Sequence, residues 1–346
     1  MLQKIGKVFP KVLVTTLFTY TLYVTVFLRT TDDGEKHFGV SSWVLVVLYA
    51  ISIFIYYRIL RVGPGFARDY KDALTTPFDH QTSQMYGQDM SVPTTRPKPQ
   101  LLVEHSIKLK PPFCSKCQLW KPDRCHHCSS CGECVLKMDH HCPWFALCVG
   151  YKNQKYFVQF SVYTTLYAIE VLVLNSMYLY HWFSDSGYST EYINLQILIT
   201  WFLALIISLS MLIFTGFIFY LISENMTTIE QMERNEIKHE NELILESRGV
   251  TNNNNHNNNN NNRADSSNFY HQPPKNLNVY DLGSRWENIK SVMGSSVAEM
   301  LLPITNNAVW ASRHTLNEQG LWFPVNDSYK KDIELQQRLL HRLGSG

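Results

Sequence analysis

The segment from Cys114 to Cys148 holds all eight cysteines of this chain: Cys114, Cys117, Cys125, Cys128, Cys131, Cys134, Cys142 and Cys148. Four histidines, His126, His127, His140 and His141, lie within it. Cys-x2-Cys occurs three times in succession, at Cys114/Cys117, Cys125/Cys128 and Cys131/Cys134. Thiolates and imidazoles at such spacings are the ligands of tetrahedral zinc, and two such ions need eight ligands. Twelve candidates are present, so some are left over for other chemistry. A segment pinned by two metals has little freedom in how it folds, and the rest of the chain must be arranged around it.

The rest is segregated by polarity. Apolar runs occupy 12–28, 44–60, 156–182 and 196–222, each near or above the length a bilayer-spanning helix needs. The chain is therefore expected to be an all-α integral membrane protein with four transmembrane helices and a cysteine-rich soluble domain between the second and third. The first run follows Lys4, Lys7 and Lys11 and lacks a small-residue cleavage site, so a retained helix is expected over a removed signal peptide. The expected divisions are 1–62 (helices 1 and 2), 63–155 (a loop with the zinc-type domain at 110–155), 156–223 (helices 3 and 4) and 224–346 (a C-terminal region).

Lys and Arg crowd the loop between helices 2 and 3, whereas 183–195 has Asp185 and Glu191 and no Lys or Arg. The positive-inside rule places the cysteine loop, and with four helices both termini, in the cytosol. That compartment is reducing, where clustered cysteines bind metal or do chemistry and do not form disulfides. A net charge near +2 gives no global argument for nucleic acid. Glu170, in the third apolar run, is expected either to pack between helices or to shape the end of a lipid cavity. Residues 252–262 are almost all Asn, too polar to pack, and 251–263 reads as a disordered insert. The tail KKDIELQQRLLHRL has Leu335, Leu339 and Leu343 at helical spacing and suits a membrane surface, a partner or solvent.

Asp139-His140-His141-Cys142-Pro143-Trp144 resembles the signature of the DHHC protein S-acyltransferases, the palmitoyltransferases. The resemblance extends through Lys121-Pro122-Asp123-Arg124, the cysteine spacing and Cys148-Val149-Gly150, and so fills the whole segment. It implies two Cys3His zinc sites, one from Cys114, Cys117, His127 and Cys134, the other from Cys128, Cys131, His141 and Cys148. Each would be closed by four protein ligands and so structural. Cys142 is then implied to be the nucleophile, acylated by palmitoyl-CoA and passing the acyl group to a cysteine of a protein substrate. His140 would be its base and Asp139 the orienter of His140. Cys125 would be a bystander or alternative ligand, and His126 structural.

The resemblance also implies an acyl cavity touched by Trp144, Phe157, Phe160 and Tyr167. CoA phosphates would need cations, for which Lys121, Arg124, Lys137, Lys152 and Lys155 are candidates, with Arg124 favoured for its forked donors. Thr227-Thr228-Ile229-Glu230 matches the family's TTxE motif, in which a threonine hydrogen-bonds near Asp139, although alone it reads equally as a helix cap. The stretch 278–294 resembles the family's aromatic/Asn motif, with Asn288 tying loops together. Two positions depart from the pattern: Gly63-Pro64-Gly65 stands where Asp-Pro-Gly is usual, and Leu147 where Asn is usual.

The phrase HHCPWFALCVGYKNQKYFVQF and the Asn-rich insert are similar to a yeast vacuolar branch of the family. That likeness implies a vacuolar membrane, with Golgi as the alternative, and a myristoylated armadillo-repeat protein as substrate. A RING-like ubiquitin ligase and a non-catalytic zinc scaffold are the rival readings. Neither requires a cysteine left over from metal.

Overall fold

The computed structural model describes residues 2–28, 39–71, 113–184, 193–247, 278–304, 320, 321, 323, 324, 326 and 331. The Asn-rich run, 183–195 in large part and the C-terminal leucine pattern lie outside the described residues. Among the described residues four helices are long and apolar enough to cross a membrane. They are α1 (Leu2–Tyr23, continued by a wider turn over Val24–Leu28), α2 (Val40–Val62), α3 (Gln154–Ser184) and α4 (Leu195–Ser223). α3 is the central helix: more than half of its apolar stretch is covered by protein, against about a quarter for the others. It packs against both α2 and α4.

α2 ends where a side chain would be costly. Gly63 closes the helix at φ 69°, its N–H reaching back to the Ile59 carbonyl. A positive φ is free for glycine and strained for residues with a Cβ, which accounts for one of the two departures from the family pattern. The next residues are stitched into the soluble domain: the Pro64 carbonyl accepts from Lys152 N–H and the Gly65 carbonyl from Leu136 N–H, each at 3.0 Å. The membrane bundle and the cysteine domain are thus joined by backbone as well as by side chains.

The cysteine domain is three antiparallel hairpins: β1–β2 (Phe113–Cys114 with Leu119–Trp120), β3–β4 (His126–Cys128 with Glu133–Val135) and β5–β6 (His140–Cys142 with Leu147–Val149). The hairpins repeat at a spacing of fourteen residues. Cys114, Cys128 and Cys142 end the first strand of each. The turn residue four positions on has a left-handed backbone each time, at Gln118, Gly132 and Ala146. β3–β4 and β5–β6 share one register, pairing His127 with Cys134 and His141 with Cys148. Strands of two or three residues have too little surface to be stable alone, so something other than the ladders must hold them.

Three further helices complete the described chain: α5 (Thr228–Ser247), α6 (Arg285–Met293) and α7 (Val297–Leu301). The segment before α6 folds back on the end of α4. Asn288, 1% exposed, donates to the Ser223 carbonyl and to Asp281 and accepts from Leu282 N–H. α7 is docked on α3, where Lys155, Gln159 and Tyr163, one helical turn apart, donate to carbonyls between Glu299 and Ile304. These carbonyls lie at a helix end, where no partner exists within the helix itself.

Candidate active site and metal centres

The hairpins are cross-linked by two Cys/His clusters, Cys114–Cys117–His127–Cys134 and Cys128–Cys131–His141–Cys148, the ligand atoms of each lying within 4.8 Å of one another. In the first, His127 Nδ1 is 3.6, 3.3 and 3.8 Å from the sulfurs of Cys114, Cys117 and Cys134. In the second, His141 Nδ1 is 3.5, 3.4 and 3.6 Å from those of Cys128, Cys131 and Cys148. A tetrahedron with metal–sulfur bonds of about 2.3 Å and a metal–nitrogen bond of about 2.0 Å has edges of roughly 3.5–3.8 Å, so both clusters fit such an ion. Each takes two sulfurs from one hairpin and a His–Cys pair from the next. Metals held there would form a relay, the first joining hairpin one to two and the second joining two to three.

Cys142 belongs to neither cluster. In the third hairpin it stands where Cys114 and Cys128 stand in the first two. The partner sulfur supplied by Cys117 and Cys131 is replaced there by Phe145, and no fourth hairpin follows among the described residues. The Cys142 side chain instead lies beside His140, near enough to favour its charged form. His140 Nδ1 lies 3.0 Å from Asp139 Oδ2, which leaves Nε2 for the sulfur. Burial opposes charge on His140, but the hydrogen bond to Asp139 and the nearby Cys142 outweigh it and raise its pKa to about 9. Asp139 is buried, which disfavours its charge, yet His140 and the Thr228 N–H at 2.5 Å hold its carboxyl below the usual range. That N–H opens α5, whose positive dipole end faces the carboxylate.

The TTIE segment is both a helix cap and a clamp. Thr227 N–H donates to Glu230 Oε2 at 2.8 Å and Glu230 N–H to Thr227 Oγ1 at 3.3 Å, a reciprocal capping box. The same Glu230 carboxylate takes a forked pair from Arg124, at 2.6 and 2.8 Å. Arg124 also donates to Asn225 and stacks over Tyr280 and Phe323, at 4.3 and 5.1 Å from the ring centroids. Its side chain has no exposed surface. Its donors are thus engaged inside the protein.

The other cations differ similarly. Lys137 is buried, and desolvation and Arg124 lower its pKa to about 7. Lys152 pairs with Asp69 at 3.3 Å, and Lys155 is turned to the Ile304 carbonyl at 2.8 Å. Lys121 remains partly exposed.

Below Cys142 lies an aromatic cage. Phe145 is 5.1 Å from Tyr56, 6.1 Å from Phe157 and 5.4 Å from Phe160. Phe157 presents its edge to His140 at 5.2 Å. Farther along α3, Tyr167 stacks on Phe18 at 5.0 Å, and its hydroxyl bonds Thr21 at 2.9 Å and the Phe18 carbonyl at 3.0 Å. Cys142, Phe145, Phe157, Phe160 and Tyr167 share one apolar cluster. Trp144 is 59% exposed, outside that cage, with its carbonyl bound by the Tyr56 hydroxyl. Glu170 is half-buried, and polar contacts inside the bundle include Tyr167 with Thr21, Asn175 with Thr25 and Thr165 with Thr215.

From sequence Tyr56 marks only the membrane boundary of the second helix, and Phe18, Phe145 and Thr21 carry no site signal. They lie on three separate elements, and only packing brings them to one place. Asn153 was missed too, although its position just after Cys148-Val149-Gly150 is a turn signal. It bonds Gly150 N–H and the Cys148 carbonyl, supplying hydrogen bonds to the loop that carries Leu147. Cys125 is buried in one cluster with Cys134 and belongs to neither four-ligand set.

A family model described as DHHC palmitoyltransferase matches residues 107–235. The chain is 38% identical to Palmitoyltransferase PFA3 of Kluyveromyces lactis over 99% of this chain and 97% of that protein. It is 34% identical to Palmitoyltransferase PFA3 of Saccharomyces cerevisiae over 96% of this chain and 88% of the relative. Over a shorter stretch, 37% of this chain and 34% of the relative, it is 38% identical to Palmitoyltransferase ZDHHC2 of Mus musculus.

Proposed function

This chain belongs to the DHHC palmitoyltransferase family and is a membrane-embedded protein S-acyltransferase, and on that premise we propose that Cys142 carries the acyl group between palmitoyl-CoA and the acceptor thiol. The observation that carries this assignment is the position of Cys142: outside both metal clusters, beside His140, and in an apolar cluster that runs along α3. His140 takes the thiol proton of Cys142. The sulfur attacks the thioester carbonyl, the carbonyl–sulfur bond to CoA breaks, and the departing sulfur takes the proton from His140. In the second half the acceptor thiol gives its proton to His140 and attacks the acyl carbonyl, and Cys142 leaves and recovers a proton. Asp139 fixes the tautomer and stabilises the charged ring.

The clusters are assigned to zinc, which holds the hairpins without entering the chemistry. The fatty tail is assigned to the space among Phe157, Phe160 and Tyr167, floored by the Tyr167–Thr21 bond. Burial of that tail is worth roughly 12 kcal/mol at about 0.8 kcal/mol per CH2. Lys121 is retained as a contact for CoA phosphate. Both termini are assigned to the cytosol from the charge asymmetry of the loops. A vacuolar membrane and a myristoylated armadillo-repeat substrate are proposed from the resemblance of the sequence.

With radiolabelled palmitoyl-CoA, the unsubstituted protein should gain a hydroxylamine-sensitive label, as should Cys125→Ser, and Cys142→Ala should not. Equal labelling of Cys142→Ala would remove Cys142 as the nucleophile.

A further inference from the structure

A cleft of about 310 Å³ opens beside the third hairpin. Lys11 of α1, Leu60 of α2, Phe66, Arg68, the second hairpin (Ser130, Cys131, Glu133) and the third (Phe145, Ala146, Leu147) line it. Leu60, Phe145 and Leu147 also belong to the apolar cluster that contains Cys142. Leu147 is the cross-strand partner of Cys142. Cross-strand partners project from the same face of a hairpin, so the Leu147 side chain at the cleft shares a face with the Cys142 sulfur. Phe145 is common to the cleft and the aromatic cage, whose Phe157 and Phe160 come from α3.

We propose that this cleft is the acceptor site, where the cysteine-bearing segment of the substrate protein lies as an extended peptide with apolar residues beside its thiol. The proposal rests on Cys142 as the acyl carrier and deepens that reading. Three observations define the occupant. The size is at the low end of ligand sites, about 300–1,000 Å³, which admits a few residues and not a folded domain. The floor is apolar, from Leu60, Phe66, Phe145 and Leu147, while Lys11 and the Arg68–Glu133 pair set polar groups at the wall for a peptide backbone. The cleft is also continuous with the ends of α1 and α2 that adjoin the cysteine domain. A thiol held close to the bilayer by a lipid or an apolar flank arrives at that level. In transfer, the acceptor sulfur enters past Leu147 and bonds the acyl carbonyl carbon, its proton passes to His140, and the bond to Cys142 breaks.

The test separates the two half-reactions in the full chain reconstituted in vesicles. Leu60→Trp fills the cleft. Formation of labelled acyl-enzyme from palmitoyl-CoA, and its discharge by 2-mercaptoethanol, should stay within about twofold of the unsubstituted enzyme. Discharge by a myristoylated peptide with leucines flanking its cysteine should fall at least about tenfold, the loss expected when an apolar anchor is shut out. Peptide discharge that is unchanged, or that falls only in step with 2-mercaptoethanol, overturns the proposal. A second measurement needs no substitution. The same peptide carrying a benzophenone beside its cysteine should cross-link to residues 60–68 or 145–147, and cross-links confined to other segments overturn the proposal. A failure of Cys142 as carrier would show separately, as absence of acyl-enzyme label in the unsubstituted protein.

Discussion

Glu230→Gln isolates one charge in a dense network. Glutamine can still accept from Thr227 N–H, so the capping box survives. What is lost is the negative partner of Arg124, whose side chain is fully buried while Glu230 is 12% exposed. Two forked bonds at 2.6 and 2.8 Å are replaced by one neutral one. Removing one partner of a buried pair typically costs 3–5 kcal/mol, because the other charge is left uncompensated. Asn225 and the rings of Tyr280 and Phe323 remain around Arg124 and soften that loss, so about 3 kcal/mol is expected. By contrast, Thr227→Ala removes only the cap, for about 1 kcal/mol. Urea-induced release of metal to a chromophoric chelator, followed together with tryptophan fluorescence, reads both. Arg124→Met added to Glu230→Gln should recover part of the loss, since the orphaned charge is then gone. If Glu230→Gln costs no more than about 1 kcal/mol, or if the double variant is simply additive, the network behaves like a surface ion pair and the reasoning fails.

Asp139→Asn removes the carboxylate that does much to raise His140 to about 9, so the alkaline limb of the acyl-enzyme formation profile should move to lower pH. The same raised value means that the Asp139–His140 pair stabilises the fold fully below the unfolded pKa of about 6.5 and ceases to do so as pH rises through about 9. Urea midpoints measured across that window should fall in the unsubstituted protein and flatten in Asp139→Asn. Atomic absorption should find two metal ions per chain, and Cys131→Ala should lower that count and destabilise the third hairpin through loss of its link to the second. Tyr167→Ala removes the hydroxyl bond to Thr21 and opens the floor of the apolar space, so competition between acyl-CoAs should shift toward chains longer than palmitoyl.

Much of this was legible before any fold was known. The two four-ligand sets gather the residues that the family resemblance implies, because metal geometry forces cysteine spacing into the sequence itself. The four helices announce themselves by apolar length. What stayed hidden depends on distance in space. Arg124 carried the marks of a phosphate ligand, and only the approach of Asn225, Glu230, Tyr280 and Phe323 shows that its fork is already engaged. Tyr56 and Phe18 read as ordinary residues of apolar helices until the third hairpin descends on them. Glu230 looked like either a cap or a family mark and serves as both, a choice that one dimension never required. Gly63 looked like a defect of the motif and is a residue suited to the left-handed end of α2.

The hairpin series ends one unit before its metals would. A ligand at the edge of a lattice keeps an unspent bond, and Cys142 is such an edge: built to the pattern of Cys114 and Cys128, yet with no ion to claim it. On the proposed assignment its reactivity needs no separate scaffold, only Phe145 in the place of a second sulfur and no further hairpin among the described residues. Soft metal ions in excess should therefore act on this sulfur as inhibitors, completing the series at the expense of turnover.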